Sequence, residues 1–450
     1  MENGLESTNE PMRIAVVGGG MMGIVTAMEL VERSQARVTI FEKDRRLGGL
    51  SSPYTWNGLT CDRFYHVVLS TDSLLLGFLR SIGLDGEVYW RESKSGFYDD
   101  GRLVSMSSLG DFIAFPFLTL WQKFRLGLGI VVSIRIRDMA KLDRTYVREW
   151  LTRLFGRRVY EKIWDPLLRS KLGASREKTS ASFIWATINR LYGARQGNAR
   201  VERMGHVRGG YARILERAGQ RLQSAGVRLL VDQEVTRVEA VATGSGREIS
   251  VRTRSRDYRF DRVVLTIPAP EILRIAEHTD HAYWESLSKV SYLGVICVLL
   301  ILERSLSPYY VTNLLDNSLP FTGIIEATNV VRVSGGEGCH LVYLPKYVTA
   351  DDELWAAEDA HVLEAFLDGL KRVFPVLLDK DILHTAVFRE RHVQPLQEVD
   401  FLNRSVGIQT PVEGLYVANT SMIYNSTLNN NAVVDLATSV AKELISDARG

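Results

Sequence analysis

A glycine-rich turn between a predicted strand and a predicted helix most constrains how this chain can fold. Residues 14–17 are apolar and mostly β-branched, and the sequence continues Gly-Gly-Gly-Met-Met-Gly into an apolar stretch, 22–32, with helical periodicity. Gly18 permits a tight turn, Gly20 allows close approach of a pyrophosphate, and Gly23 allows close packing of the helix on the sheet. The helix, which starts at Met22, directs its N-terminal N–H groups at the phosphates. All four residues are expected cofactor contacts.

An acidic residue ends the second predicted strand. Glu42 follows the apolar run 38–41, about 20 residues after the glycine turn, where a carboxylate accepts hydrogen bonds from an adenosine ribose. A free carboxylate at this position would repel a 2′-phosphate, so we do not expect NADP here. The strand, turn, helix and acid together predict a dinucleotide-binding unit at the start of the chain.

The run after Glu42 indicates which dinucleotide is bound. Residues 43–52 contain a second glycine pair, and they resemble the extended fingerprint of the two-dinucleotide-binding-domain flavoproteins, which wraps the pyrophosphate and ribityl chain of FAD. Leucine stands at position 50, where that fingerprint usually has arginine. A NAD dehydrogenase does not need this continuation, so we expect FAD. The expected contacts from this run are Lys43, Arg46, Gly48, Gly49, Leu50 and Ser51.

Composition narrows the class of protein. A chain of 450 residues suggests two domains. The 55 Lys and Arg residues nearly balance 53 Asp and Glu residues, so there is no broad basic surface and nucleic acid is not an expected partner. Three scattered cysteines are too few for a disulfide framework or a zinc site, and they indicate reduced thiols in the cytoplasm. No metal site is expected.

Two segments bear on targeting and on membranes. Residues 1–11 are polar and acidic, which predicts a disordered lead and not a signal peptide. No run reaches 18 uninterrupted apolar residues, and the nearest, 112–136, is broken by Lys123 and Arg125. Two interpretations of 112–136 stay open: buried helices of a substrate domain, or a surface that contacts a membrane or an acyl or prenyl chain. We therefore expect a cytoplasmic protein, with peripheral membrane association as the alternative.

The order of predicted elements indicates an α/β fold in which two domains are interleaved. The Rossmann-type FAD-binding domain is expected to comprise 12–70, 204–270 and 396–450. A mixed α+β substrate domain is expected to comprise 71–203, which is predicted to be helical, and 271–395, which is predicted to be rich in strands.

The chain resembles the flavin amine oxidase superfamily in its broad sense, which includes protoporphyrinogen oxidase and the phytoene desaturases. The glycine fingerprint carries the resemblance together with the segments 64–67, 164–171, 343–347 and 414–419. It is greatest to a bacterial branch of NAD(P)/FAD-dependent oxidoreductases and covers nearly the whole chain. The resemblance implies an FAD-dependent oxidoreductase that acts on a small molecule.

The resemblance also implies further cofactor contacts. Val235 would present its backbone to the adenine ring, and Asn419 would lie in the strand that leads under the flavin. Asn431 and Ala432 would begin the last helix, whose dipole would face the flavin N1–O2 edge. Two departures stand out: the usual Ala-Gly-Asp is Ala-Asn-Thr at 418–420, and the approach to the last helix is rich in asparagine.

The expected chemistry is transfer of a hydride from a hydrophobic or conjugated substrate to flavin N5. Amine oxidases of this superfamily have a lysine where this chain has Cys297, so amine oxidation is not favoured. If an acid–base residue is needed, the main candidates are His66, Lys346 and Tyr424. His206 and Tyr347 are further candidates. Arg169 and Lys171 are a candidate anion-binding pair.

Two other functions stay open. A non-redox flavoenzyme similar to UDP-galactopyranose mutase would need arginines around a diphosphate, and Arg169, Arg190 and Arg203 are available. A protein that binds FAD but has lost catalysis, and serves as a binding partner, would explain the asparagine-rich run at 429–431. A homodimer is also compatible with the sequence.

Overall fold

The computed structural model describes residues 10–193, 202–243, 246–278, 281–333, 335–424 and 428–447. Most of the predicted disordered lead, 1–11, lies outside the described residues. In the described part no helix is long and apolar enough to cross a membrane. The strands, in chain order, are β1 (Arg13–Val17), β2 (Arg37–Phe41), β3 (Pro53–Trp56), β4 (Leu59–Asp62), β5 (Val68–Leu69), β6 (Val88–Glu92), β7 (Ser95–Asp99), β8 (Arg102–Ser105), β9 (Arg203–Val207), β10 (Arg228–Leu230), β11 (Val235–Thr243), β12 (Gly246–Thr253), β13 (Asp257–Phe260), β14 (Arg262–Leu265), β15 (Tyr292–Leu302), β16 (Val311–Leu314), β17 (Gly323–Glu326), β18 (His340–Val348), β19 (Ile382–Pro395) and β20 (Leu415–Val417).

The helices connect and cover these strands. A π-helical turn, Tyr160–Trp164, joins α7 to α8. The helices, in chain order, are α1 (Met21–Arg33), α2 (Ser73–Ser81), α3 (Leu109–Ala114), α4 (Leu120–Ser133), α5 (Met139–Asp143), α6 (Val147–Phe155), α7 (Arg157–Val159), α8 (Asp165–Leu172), α9 (Ala181–Gly193), α10 (Gly210–Ser224), α11 (Ala269–Ile275), α12 (Ala282–Ser288), α13 (Asp359–Val373), α14 (Phe401–Arg404) and α15 (Asn430–Ser446).

A five-stranded parallel sheet gathers strands from three separate stretches of the chain. Its order is β10-β2-β1-β14-β20. Residues of α1, α10 and α15 join one of its apolar clusters, and residues of β11 to β13 join the other. Because the strands are parallel, the residues that follow them meet at one edge, which is where open α/β sheets bind ligands. The predicted α/β class with interleaved segments is confirmed.

A seven-stranded sheet, β19-β15-β18-β17-β16-β7-β8, forms the second layer. All eleven residues of β15 are buried, so both faces of the sheet are covered. Side chains alternate along the strand: Ile296 and Val298 belong to the cluster formed with α13. Cys297 and Leu299 belong to the cluster formed with β4 and the residues after it. The sheet face that carries Cys297 therefore packs against residues of the N-terminal segment.

The helices α3 to α9 pack into one apolar cluster, but the prediction that 71–203 is helical is wrong in part. This stretch also contributes β6, β7 and β8. Most of their residues are only partly buried, so neither the helical nor the strand period stands out in the sequence. The partners of β6 and β7, which are β9 and β16, lie far along the chain, and β8 pairs with β7. Tertiary pairing, which local sequence does not report, decides their structure.

Candidate functional site

The two glycine turns of the N-terminal segment are bonded to each other. Gly18 has a φ of +112°, and its N–H donates to the carbonyl of Phe41 at 2.8 Å. The N–H of Gly48 donates to the carbonyl of Gly19, also at 2.8 Å. A Cβ on Gly23 would lie 1.9 Å from the Gly18 carbonyl oxygen. The backbone conformation and the packing of this turn therefore require glycine at positions 18 and 23.

Gly20 is different, because none of the residues that the structure describes requires a glycine at this position. Its φ of −73° and ψ of 178° suit any residue. A Cβ there would meet no atom within 4 Å. Gly20 is also the N-cap of α1, and no side chain caps this helix. An open space thus lies in front of free helix N–H groups, which is the arrangement that binds a phosphate.

Glu42 lies beside this turn and is buried. Its Oε2 accepts the N–H of Gly19 at 2.7 Å, and its Oε1 accepts the N–H of Asp44 at 2.9 Å. Burial raises the pKa of Glu42, and the two N–H groups oppose that rise. A cleft of about 330 Å³ adjoins Glu42, and it is lined by Lys43, Asp44, Asp232, Gln233, Glu234, Arg254 and Ser255. The predicted adenine contact, Val235, directly follows Glu234 in the chain.

The other residues of the predicted fingerprint lie in different surroundings. Met22 and Ser51 are buried, Leu50 is half-buried, and Lys43 and Arg46 are exposed. Sequence reasoning missed Arg63, whose Nη2 lies 3.5 Å from the carbonyl oxygen of Gly49. It brings a guanidinium to the glycine pair, where the fingerprint's usual arginine is replaced by leucine.

Asn419 directly follows Ala418 at the carboxyl end of β20. Its Oδ1 accepts from the N–H and the hydroxyl of Ser421, at 2.9 and 2.6 Å. Its Nδ2 is buried and has no partner in the described part of the chain. A buried donor without an acceptor is costly unless a ligand supplies one. This orphan donor and the open space at Gly20 lie at the same sheet edge, and both fit a dinucleotide.

The asparagine-rich run serves to cap helices. Asn429 accepts the N–H of Ala432 at 3.0 Å, and Asn430 donates to the hydroxyl of Tyr211 at 2.6 Å. Asn431 Oδ1 accepts two N–H groups at the start of α2, at 2.9 and 3.1 Å. Side-chain caps of this kind stabilise helix termini. The side-chain oxygen of Asn431 is thus already engaged, and its predicted contact with the flavin stays a prediction.

A buried carboxylate lies between two histidines near the start of α10. Asp62 Oδ2 is 3.7 Å from His66 Nδ1 and 3.9 Å from His206 Nε2, and Oδ1 accepts the N–H of Tyr211 at 3.0 Å. Burial alone would raise the pKa of Asp62, but His206 and His66 hold it well below its ordinary value. The structure therefore brings together two predicted acid–base candidates, His66 and His206, around an acid that the sequence analysis did not single out.

Tyrosines and a cysteine face the Asp62 cluster from the seven-stranded sheet. The hydroxyl of Tyr343 donates to the carbonyl of Asp62 at 2.6 Å. Tyr65, next to His66 in the chain, lies near Tyr347 and Cys297, and burial raises its pKa far above the ordinary value. Tyr65 and Tyr347 are each half-buried. Tyr65 and Tyr343 line a small cavity together with Asp62, His66 and His206.

The structure does not bring the other two predicted catalytic residues to this cluster. Lys346 and Tyr347 are neighbours on β18, so their side chains lie on opposite faces of the sheet. Lys346 pairs with Ile296, and this residue lies on the face that packs against α13. Burial lowers its pKa. Tyr424 stacks on Phe401 with ring centroids 6.0 Å apart, and its hydroxyl donates to the carbonyl of Met139. These placements give no support to either as a partner of His66.

The predicted anion-binding pair is also separated. Arg169 is exposed and pairs with Asp165 at 2.7 Å. Lys171 lies over the rings of Phe183 and Tyr347, at 5.5 and 5.6 Å from their centroids. Sequence reasoning missed Tyr65, Asp62 and this aromatic setting because their partners come from distant parts of the chain.

Removal of the Glu42 carboxylate is expected to weaken FAD binding. E42A should raise the dissociation constant by the equivalent of roughly 1.5–3 kcal/mol, the range for a hydrogen bond to a charged group. It also removes the acceptor of the Gly19 N–H. Fluorescence titration of the apoprotein with FAD measures the effect. E42Q keeps an acceptor and should lose less; equal affinity for wild type and E42A would contradict the role of Glu42.

Comparison with known proteins identifies the family of this chain. The sequence profile of flavin containing amine oxidoreductases matches residues 21–435. Zeta-carotene desaturase of Synechocystis is 22% identical over 316 residues, 64% of each chain. Protoporphyrinogen oxidase 2 of Arabidopsis thaliana is 25% identical over 218 residues, 42% of this chain and 41% of that protein. The matches thus span under two thirds of these relatives.

A solved structure extends the likeness of fold to nearly the whole chain. Reduced UDP-galactopyranose mutase superposes with a TM-score of 0.73 at 15% identity, and the superposition covers 98% of this chain and 96% of that one. At this identity the likeness concerns the fold alone. The expected fold class and the expected cofactor, FAD, are confirmed. The chain belongs to the flavin containing amine oxidoreductase family.

Proposed function

We propose that this protein oxidises a hydrophobic or conjugated small molecule in the space between the two sheets. The observation that carries the proposal is the set of interior aromatic side chains, Tyr65, Tyr343 and Tyr347, that adjoins the Asp62 cluster. Such a wall excludes water and positions an apolar substrate. Bound FAD supplies the acceptor for the hydride at its N5.

The chain's own residues would bind the cofactor and control protons. The turn at Gly18 and Gly20 would hold the pyrophosphate, Glu42 the ribose, and Asn419 would offer its unpartnered donor. His66 is the proposed proton carrier, because its Nδ1 lies 3.7 Å from the Asp62 carboxylate. His206 approaches the same carboxylate oxygen, at 3.9 Å. A substrate that loses no acidic proton would not need this step.

An anaerobic reduction assay tests the proposal. The purified holoprotein is mixed without oxygen with apolar conjugated donors, namely a carotene in detergent and a porphyrinogen, and with alkylamines as the contrasting class. We expect bleaching of the flavin absorbance by an apolar donor and none by the amines. Bleaching by amines alone, or activity only after reduction with dithionite, would contradict the proposal.

The mutase-like alternative has weaker support. It needs arginines that converge on a diphosphate, but Arg169 pairs with Asp165 and Arg190 with Asp72, at 2.7 and 3.1 Å. Arg203 is exposed on β9. The interpretation that catalysis has been lost rested on the asparagine run, which the capping contacts account for without any loss of activity.

We also propose that helices α3 and α4 contact a membrane that contains anionic lipid. The sequence left two interpretations of the segment 112–136 open, and each fits part of it. Phe115 and Leu126 are buried, and other apolar residues are exposed. Trp121 and Phe124 stack on the exposed side with centroids 5.5 Å apart. We call the exposed residues the apolar patch: Leu109, Ile113, Leu120, Trp121, Phe124, Leu128, Val131 and Val132.

Charge next to the apolar patch supports this partner. Arg135, Arg137, Lys141 and Arg144 are exposed just beyond α4. An apolar face bordered by basic residues suits a helix that lies at the surface of an anionic bilayer.

A charge within the apolar patch should weaken membrane binding. W121E is expected to reduce cosedimentation with vesicles of phosphatidylcholine and phosphatidylglycerol by about tenfold, because a carboxylate enters the interface poorly and is repelled by anionic lipid. V376E is the matched control, since Val376 is 64% exposed outside the patch. If W121E and V376E sediment with vesicles as wild type does, the membrane proposal is wrong.

A further inference from the structure

Lys171 has an unusual environment for a lysine. It is the next-to-last residue of α8, and its Nζ lies 5.5 Å from the ring centroid of Phe183 and 5.6 Å from that of Tyr347. No carboxylate lies within ion-pair distance among the residues that the structure describes. The side chains of Lys171 and Tyr347 are both half-buried. The ammonium therefore lies against Tyr347 while part of the lysine side chain stays accessible.

One face of α9 forms the wall beside this ammonium. Phe183, Thr187 and Arg190 are spaced at four and then three residues, so they lie along one side of the helix. Arg190 binds Asp72 at 3.1 Å, and its charge is among the causes that lower the pKa of Lys171, after burial. Two cations thus lie near one another, and the carboxylate of Asp72 pairs with Arg190 and not with Lys171.

The positive charge of Lys171 has a consequence for recognition. A buried cation without a counterion is costly, and a ligand that brings a negative group removes that cost. A protonated amine would be repelled at this position, and a neutral polyene would leave the ammonium unpaired. The aromatic rings on both sides would contact the apolar part of a ligand next to its charged group.

We propose that Lys171 binds an oxyanion, a carboxylate or a phosphate, carried by the hydrophobic substrate. The inference deepens the proposed function, on which it rests, by defining the substrate as an apolar molecule with an acidic group at one end. Lys171 touches that group, Phe183 and Tyr347 flank it, and the rest of the substrate extends along Tyr347 toward Tyr65. Neither a simple amine nor an unsubstituted carotene meets this description.

Calorimetric titration of the holoprotein with four ligands of one chain length tests the proposal. Octanoate and octyl phosphate carry the two oxyanions, octylamine carries a cation, and octanol is neutral. We expect heat of binding from one or both oxyanions and at least tenfold weaker binding of the other two ligands. The variant K171M should weaken oxyanion binding at least tenfold, and K171R should restore most of it. R169M, on the exposed side of the same helix, should bind as wild type does.

The outcomes separate the oxyanion site from the proposed redox function. Oxyanion binding that K171M leaves unchanged, equal binding of all four ligands, or no binding of either oxyanion would overturn the assignment of Lys171. FAD content is measured in the same samples, and K171M should retain it. Oxyanion binding that depends on Lys171, in a protein whose flavin no apolar donor reduces, would support this site while contradicting the proposed hydride transfer.

Discussion

The variant G20V is expected to fold and to lose FAD. The φ and ψ of Gly20 suit valine, and a Cβ there meets no atom of the described residues within 4 Å, so loss of a favourable N-cap residue should change the free energy of unfolding of the apoprotein by about 1 kcal/mol or less. The valine side chain would occupy the space in front of the α1 N–H groups. We expect FAD affinity to fall at least about a hundredfold, roughly 3 kcal/mol, as measured by flavin absorbance per chain after gel filtration.

Two other glycines are controls for G20V. A Cβ on Gly219, in α10, would also meet no atom within 4 Å, and G219V should keep its FAD. In G23A the new Cβ would lie 1.9 Å from the Gly18 carbonyl oxygen, so this variant should lose folded protein as well as cofactor. A G20V protein that purifies with full FAD occupancy would mean that the cofactor does not lie at this turn.

The variant D62A is expected to be strongly destabilised. Asp62 is buried, accepts the N–H of Tyr211, and faces His66 and His206. Removal of one partner from a buried charged cluster costs about 3–5 kcal/mol. Urea unfolding followed by tryptophan fluorescence measures this loss. D368A, which removes an exposed carboxylate from α13, should change the free energy of unfolding by about 0.5 kcal/mol or less. Equal stability of the two variants would contradict the role of Asp62.

Acid should reduce the advantage of wild type over D62N. The pKa of Asp62 is lower in the folded protein than in the unfolded chain, where it is about 3.9. The carboxylate therefore stabilises the fold fully above that value, and its contribution is lost as pH falls toward the lower, folded-state pKa. Between about pH 5.5 and about pH 3 the difference in unfolding free energy between the two proteins should shrink by about 1 kcal/mol. A difference that grows with acid would contradict this assignment.

The sequence predicts the elements of the N-terminal segment well because its signals are local. The run from β1 through the glycine turn and α1 to Glu42 lies within one short segment, and every role depends on neighbours in the chain. The backbone at positions 18 and 23 requires glycine, and the sequence shows this requirement directly as the residue type. The structure adds that the turn itself does not require glycine at position 20. The residue type alone cannot show this difference between Gly20 and the other two glycines.

The interior site could not be predicted to the same degree, because its residues meet only through tertiary structure. Asp62 and His206 come from β4 and β9, and Lys171 meets Tyr347 across α8 and β18. Lys346 illustrates the limit, since a one-residue step along β18 places it on the opposite sheet face from Tyr347. The strands β6 and β7 were missed for the same reason, because their partners β9 and β16 are distant in sequence.

The visible absorption spectrum of the purified protein, with mass analysis of the chromophore released by heat, is the decisive measurement for the flavin site at Gly20. We predict flavin absorption bands and release of FAD at about one molecule per chain, with both lost in G20V. A colourless protein that remains colourless after incubation with FAD would contradict this site, because the open space at Gly20 and the unpartnered donor of Asn419 would then hold no flavin.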